Sequence, residues 1–260
     1  MNKSRFAFLD HEGPIAFAHR GGALEAPENT WKSFTHARDL GYKYMETDVH
    51  ATKDGVVVTI HDPSLERVSD RTGVVRDMSW KHLSGVRLTG EEAVPRLDEL
   101  FAAWPDVRWN IDAKHDSVVG PLLETIHRAE AIDRVCVTSF NDRRLSRLRR
   151  ALGPQACTVL GPATTTVLRV ASWLPNRIGT RTAARLNGFA AAQVPIRNGR
   201  IPVVDRRFVD AAHRAGLQVH VWTIDDEATM ARLLDLGVDG LMTDRPTALK
   251  ELLVRRRAWP

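Results

Sequence analysis

Long apolar runs are missing from this 260-residue chain. None approaches the roughly 18 residues of a membrane-spanning helix, so a transmembrane protein is not expected. Met1 to Asp10 has basic residues but no sustained apolar stretch and no small-residue cleavage site, and does not read as a secretion signal. Cysteine is scarce. Cys136 and Cys157 each lie in an apolar, strand-like segment, and without a secretion signal they read as reduced core thiols. Cytoplasmic residence is the default expectation. The chain also lacks a dinucleotide fingerprint, because Gly21-Gly22 has no further glycine at the G-x-G-x-x-G spacing. Aromatic residues do not alternate with the arginines as a single-strand platform requires, which argues against nucleic acid.

What is present fits one large domain spanning residues 1–260, with a hydrophobic fraction of 43% that is normal for a full core. The net charge of +5 is unevenly placed: Arg143, Arg144, Arg147, Arg149 and Arg150 crowd one helix, and Arg255-Arg256-Arg257 sits near the end. Solvated helix faces explain most of this clustering. Attraction to an anionic membrane or to phosphorylated substrates is the other reading.

One theme repeats: a short β-branched run, a polar turn, then an amphipathic helix. Strands are expected at 15–18, 42–49, 107–113, 134–138, 157–160, 188–193, 218–223 and 240–243, with 56–60 extending or pairing with the second after the turn Lys53-Asp54-Gly55. Helices are expected at 31–40, with Asn29 or Thr30 as cap, and at 118–131, 143–152, 206–215, 226–236 and 247–256. Eight such units close into an α/β (β/α)8 TIM barrel. A doubly wound open sheet is the competitor, disfavoured by the missing glycine. Two stretches break the rhythm. Residues 63–96 read as a small insertion above the barrel mouth, after the second strand region. Residues 164–185 form a long connection whose Leu168–Leu174 segment packs as a barrel helix or touches lipid.

The chemistry-bearing residues fall at the carboxyl ends of these strands, where barrel enzymes carry their sites. His19 and Arg20 end the first, Glu46 and Asp48 the second, and His61 follows its extension. Asp112 and Lys114 end the third, and Trp222 the seventh. Side chains two apart in a strand share a face, so Glu46 projects with Asp48 and Asp112 with Lys114. Three converging carboxylates repel one another without a cation, and an oxygen-rich site suits Mg2+ or Ca2+. Two imidazoles beside paired acids suit phosphodiester hydrolysis, which needs a proton acceptor, a proton donor and a cation. Arg20 and Lys114 are phosphate-binding candidates; a surface ion pair is the plainer reading for Arg20. Asp62 either orients His61 or caps a helix. Asp244 is expected to cap the last helix, Asp239-Gly240 to shape the turn before it, and His50 to fill the interior as a hydrogen-bonded side chain.

The runs His19-Arg20-Gly21, Pro27-Glu28-Asn29-Thr30, Glu46-x-Asp48, Lys53-Asp54-Gly55 and His61-Asp62 resemble the glycerophosphodiester phosphodiesterase family. Val221-Trp222-Thr223, Gly237-Val238-Asp239-Gly240 and Thr243-Asp244-Arg245-Pro246 are similar to its C-terminal signature. The resemblance covers roughly residues 14–253. It implies a (β/α)8 barrel that hydrolyses a small glycerophosphodiester to an alcohol and glycerol 3-phosphate with a divalent metal. His19 and His61 match its acid–base pair, Glu46 and Asp48 two metal ligands, and Arg20 and Lys114 its phosphate-binding positions. Trp222 lies where a ring packs on the alcohol portion, with a core residue at the rim as the alternative. The third ligand is usually a glutamate. Here Asp112 stands in Ile111-Asp112-Ala113-Lys114, and its shorter arm reaches the metal directly or through water. The rivals are a lysophospholipase D acting on lysolipids, with peripheral contact to the lipid or an anionic membrane, and a non-catalytic phospho-ligand binder.

Overall fold

The computed structural model describes residues 5–174, 179 and 186–259. Its logic is visible in strand β2 (Tyr44–Ala51), which is buried along its whole length although half of it is polar. The pleat sends alternate side chains to opposite faces. Met45, Val49 and Ala51 enter the layer between strands and helices, beside Phe34, Phe101 and Trp109. Tyr44 points to the other face, against Phe17 and Phe8 inside the barrel. Glu46, Asp48 and His50 share its side, so the polar half of the strand forms an inner stripe.

The remaining elements follow in order. Strand β1 (Ile15–Ala18) and helix α1 (Trp31–Asp39) precede β2, and β3 (Val57–Thr59) returns antiparallel to it. The insertion holds α2 (Trp80–Leu83) and the β4 (Arg87–Leu88)–β5 (Glu92–Ala93) pair, then α3 (Leu97–Ala103) leads to β6 (Arg108–Ala113). Next come α4 (Val119–Arg128), β7 (Val135–Thr138), α5 (Asp142–Leu152), β8 (Cys157–Thr158) and α6 (Pro162–Trp173). The chain continues through β9 (Ala191–Pro195), the small β10 (Arg197–Asn198)–β11 (Ile201–Pro202) hairpin and α7 (Arg206–Arg214). It ends with β12 (Gln218–Trp222), α8 (Glu227–Leu236), β13 (Gly240–Thr243) and α9 (Pro246–Arg255).

Eight of these strands lie side by side in the order β8-β7-β6-β2-β1-β13-β12-β9, with every pairing along that path parallel. The ring closes between its ends through the Val159–Ala191 bridge: Leu160 N donates to Ala191 O at 2.9 Å and Ala190 N to Thr158 O at 2.8 Å. The architecture is the expected (β/α)8 TIM barrel. Its amino end is plugged by the 3-10 turn Ala7–Leu9, whose Phe8 is fully buried and whose carbonyl accepts from Tyr44 Oη at 2.8 Å. Above lies a polar layer in which Gln193 exchanges hydrogen bonds with Asn110 (2.9 and 3.2 Å) and reaches His220 Nδ1 at 3.3 Å.

The irregular stretches resolve differently. The insertion closes its own small core of Leu65, Val68, Val75, Leu83, Val86 and Val94 against Val58 and Ile60 of the returning strand. Helix α3, with Leu97, Leu100 and Phe101 buried, follows at once; the sequence reading had placed no helix there. Helix α6 settles part of the second stretch in favour of packing, since Leu168, Ala171 and Ser172 are buried and Arg169 pairs with Asp205 at 2.7 Å. Residues 175–178 and 180–185 of that stretch lie outside the described residues. Among the described residues no helix is long and apolar enough to cross a membrane. Cys136 and Cys157 are free, buried neighbours in paired strands. On α5, Arg144 departs from a solvated-face role: it donates to the carbonyls of Ala113 and Lys114, both at 2.8 Å, and pins the end of β6.

Candidate active site

The loop after β1 sets the geometry. Arg20, Gly21 and Gly22 all adopt positive φ (52°, 81° and 103°), a conformation that glycine tolerates and arginine rarely does. A Cβ on Gly21 would meet Ser33 Cβ at 2.7 Å, and one on Gly22 would meet Pro246 Cδ at 2.7 Å, so α1 and α9 both press on the turn. The turn brings the Arg20 amide to Glu46 Oε2 at 3.1 Å. Thr30 caps α1 by accepting from Ser33 N at 3.2 Å. Asn29, the other cap candidate, serves the site instead: its Nδ2 donates to Asp48 Oδ2 at 3.1 Å while its Oδ1 accepts from Thr47 Oγ1 at 2.8 Å.

Strand register does the rest. Asp48 lies opposite Asp112 and Glu46 opposite Asn110 across the β2–β6 pair. Lys114 places its ammonium between the two aspartates, 2.7 Å from Asp48 Oδ1 and 2.6 Å from Asp112 Oδ2. Arg20 Nε lies 3.1 Å from Asp48 Oδ2, and Arg20 Nη1 3.2 Å from Glu28 Oε1. The Arg20 ion pair is thus a site contact, not a surface one.

The electrostatics follow these distances. Burial works to raise the Asp48 carboxyl, but Lys114 and Arg20 outweigh it and hold it below the usual range. Glu46 is pushed up to about 7 by burial and by the charge of Asp48, against the pull of His19, Lys114 and Arg20. Burial also raises Asp112, with Lys114 opposing. For Lys114 burial favours the neutral amine, yet Asp48 and Asp112 overcome it and strengthen the ammonium.

Each histidine has an aspartate behind it. His19 Nδ1 is 2.7 Å from Asp244 Oδ1, and its Nε2 faces Glu46 Oε2 at 3.7 Å. His61 Nδ1 is 2.6 Å from Asp62 Oδ1. A carboxylate that accepts from Nδ1–H leaves Nε2 as the working nitrogen in both rings. Burial lowers the basicity of His19, but the charge of Glu46 and the Asp244 hydrogen bond outweigh it, and its pKa is raised. Asp62 is held down to about 2 chiefly by its hydrogen bond to Arg67, with burial opposing and the His61 hydrogen bond assisting. A continuous run of ion pairs through Asp62, Arg67, Glu28 and Arg20 ties His61 to Asp48.

One expectation changes here, and one open reading is decided. Asp244 does not cap the last helix, which starts at Pro246 without a side-chain cap. It is turned toward His19 by Asp225, whose Oδ1 accepts from Asp244 N at 2.7 Å and from Thr243 Oγ1 at 3.0 Å. Asp62 orients His61, and no helix follows it. Asp239 keeps its turn-shaping role, accepting from Val219 N at 2.7 Å. His50 is the buried filler expected, its Nε2 3.2 Å from the His61 carbonyl.

Trp222 is half-buried at the rim and packs edge-on against Phe140, with centroids 5.7 Å apart. Phe140 is 65% exposed and lies 5.6 Å from Lys114 Nζ. Sequence reasoning missed Phe140, Asn29, Glu28 and Asp244 as site residues. The signal available was position, since Phe140 and Asp244 lie just beyond the ends of β7 and β13.

The donor set fits a hard divalent ion in its chemistry. Glu46, Asp48 and Asp112 are buried carboxylates, and Asp112 Oδ1 is buried with no hydrogen-bond partner. Their arrangement is not a finished cage: among the described residues no three acid, imidazole or thiol groups are placed to hold a metal ion together.

A closed (β/α)8 barrel with imidazoles, buried acids and two cations gathered at its carboxyl rim has the layout of a barrel enzyme's active site. The chain belongs to the glycerophosphoryl diester phosphodiesterase family, whose model matches residues 19–248, and it is an enzyme of that phosphodiesterase class. It is 38% identical over 256 residues to "Probable glycerophosphodiester phosphodiesterase 2" of Mycobacterium tuberculosis, covering 97% of this chain and 95% of that one. It is 27% identical to lysophospholipase D GDPD1 of Homo sapiens, covering 91% of this chain and 85% of that protein. Among solved structures, a glycerophosphodiester phosphodiesterase from Agrobacterium tumefaciens superposes with a TM-score of 0.74 at 22% identity, covering 91% and 99% of the two chains. An Oleispira antarctica phosphodiesterase in complex with the product sn-glycerol-3-phosphate superposes with a TM-score of 0.75 at 22% identity, covering 93% and 97%.

Proposed function

We propose that this chain hydrolyses glycerophosphodiesters to an alcohol and glycerol 3-phosphate by two-histidine acid–base catalysis, assisted by a divalent ion, Mg2+ or Ca2+. The observation that carries the reading is the pair of aspartate-backed imidazoles, His19 with Asp244 and His61 with Asp62, beside a buried core of acids and cations. Glu46 and Asp48 would hold the ion, with Asp112 as the third donor, directly or through water. Bound there, it supplies Lewis-acid neutralisation of the phosphate. Arg20 and Lys114 add fixed positive charge where the transition state gathers negative charge. The Nε2 of one histidine takes the proton of the attacking oxygen and the other protonates the departing alcohol. Attack by water gives glycerol 3-phosphate directly, whereas attack by a neighbouring substrate hydroxyl gives a cyclic phosphate first, which water then opens. Trp222 packs on the alcohol portion. The solved Oleispira complex, named for the product sn-glycerol-3-phosphate, supports the substrate class.

A second reading, lysophospholipase D activity, is favoured by Leu24 and Phe140, which follow β1 and β7 and are 60% and 65% exposed. It is also favoured by the human relative's name. The exposed apolar face of α6 adds little. Its Trp173 lies at the carboxyl end of a helix that runs antiparallel to the strands, away from the mouth. Turnover of glycerophosphocholine and of lysophosphatidylcholine, with chelator and after return of Mg2+ or Ca2+, tests both. The proposal expects faster cleavage of the soluble diester, abolished by chelator and restored by metal. Chelator-insensitive turnover would remove the metal, and a preference for the lysolipid would install the second reading.

A further inference from the structure

Arg67 belongs to the insertion and was not among the candidate residues, yet it makes three of the shorter ion-pair contacts near the site. Its Nε lies 2.6 Å from Asp62 Oδ2. Its Nη1 lies 2.9 Å from Glu28 Oε2, and its Nη2 lies 2.7 Å from Glu28 Oε1. Both carboxylates are shared with a site residue. Asp62 turns its other oxygen, Oδ1, to His61 Nδ1 at 2.6 Å. Glu28 Oε1 also accepts from Arg20 Nη1 at 3.2 Å, and Arg20 Nε lies 3.1 Å from Asp48. The backbone on either side is anchored, because Leu65 is fully buried and Val68 nearly so in the insertion's core.

We infer that Arg67 is a positioning residue that locks His61 and Arg20 into one arrangement, by clamping Asp62 behind the imidazole and Glu28 behind the guanidinium. The inference rests on the phosphodiesterase reading of the site, and it gives the insertion a task in that reaction. Without the clamp, Asp62 has one oxygen free to rotate away from Nδ1, and the imidazole loses the partner that fixes its tautomer. Among the described residues Glu28 is then left with Arg20 as its ion-pair partner, so Arg20 is drawn toward Glu28 and away from a phosphate. One residue thus acts on both proton transfer and anion binding. The geometry also requires arginine. A planar fork directs N–H donors from all three nitrogens, so Nε meets Asp62 while Nη1 and Nη2 grip both oxygens of Glu28. A single ammonium cannot reproduce that two-point grip on Glu28 together with the Asp62 contact.

The test is a set of variants assayed on glycerophosphocholine: Arg67→Gln, Arg67→Lys, Asp62→Asn, Glu28→Gln and the doubles Asp62→Asn/Arg67→Gln and Glu28→Gln/Arg67→Gln. Arg67→Gln is expected to lower kcat about tenfold or more and to raise KM about threefold or more, and Arg67→Lys to recover little of either. In the doubles the effects should not multiply: kcat should fall no further than in Asp62→Asn, and KM should rise no further than in Glu28→Gln. A role in stability alone would move the urea midpoint and leave both constants of the folded enzyme in place. Unchanged constants in Arg67→Gln, or effects that multiply in both doubles, would overturn the inference. Where the wild-type enzyme itself fails to cleave the diester, the hydrolase reading falls. The clamp is then judged by the 15N shifts of the His61 ring: a fixed Nδ1–H tautomer that Arg67→Gln scrambles supports it, and identical spectra refute it.

Discussion

Asp244 shows what a single side chain does in this site. It reaches His19 from the far end of the sequence, 225 positions away, so no local pattern joins the two. Its carboxylate accepts the Nδ1 proton and presents Nε2 to Glu46 and the substrate space. Asparagine at this position keeps the shape but offers an amide, which permits the wrong tautomer. Asp244→Asn is expected to lower kcat by about 10²- to 10⁴-fold, the range typical when an aspartate behind a catalytic histidine is lost. The urea midpoint should stay near the wild-type value, and steady-state turnover of glycerophosphocholine checks it. Wild-type kcat would mean that His19 is not the working imidazole, or that Asp244 merely fills the rim. The same residue marks the limit of local reading. Thr243-Asp244-Arg245-Pro246 looks like a helix start, and the sequence alone favours a cap; only the closure of the barrel brings Asp244 to His19.

At the scale of elements, the loop after β1 carries the most information. Its run of positive φ angles at Arg20, Gly21 and Gly22 turns the chain so sharply that the Arg20 amide and side chain serve Glu46 and Asp48 together. Gly21→Ala meets two penalties, a left-handed backbone and a collision with Ser33 in the first turn of α1. These sum to about 2–4 kcal/mol of lost stability, read from urea unfolding, with turnover falling alongside. A stability within about 0.5 kcal/mol of wild type would mean that the turn is looser than described. The regular elements were legible because period and punctuation agree: β12 and β13 fall within a residue of the expected bounds, and α1 starts at its Thr30 cap. Helix α3 was not legible and α6 only in part. The first is a seven-residue segment that directly follows the polar insertion, and the second, whose 168–174 part the sequence offers as a barrel helix, carries threonines and an apolar face that stays partly exposed.

The whole molecule explains why so many site residues were visible while their partners were not. In a (β/α)8 barrel the carboxyl end of every strand points at the same rim, so His19, Glu46, Asp48, Asp112, Lys114 and Trp222 could be gathered from strand position alone. Register then decides the contacts. Asp48 faces Asp112, Lys114 lies between them, and Asp112 spends one oxygen on the lysine rather than on a shared cation cage. Residues from loops (Glu28, Asn29, Asp62, Arg67, Asp244) complete the site, and loop conformation is what strand periodicity does not encode. The most direct measurement is the release of glycerol 3-phosphate from glycerophosphocholine by the wild-type enzyme, His19→Ala and His61→Ala, each confirmed folded by circular dichroism. The account predicts metal-dependent release by the wild type and a loss of about 10²-fold or more in each variant. Near-normal release by both variants would contradict it.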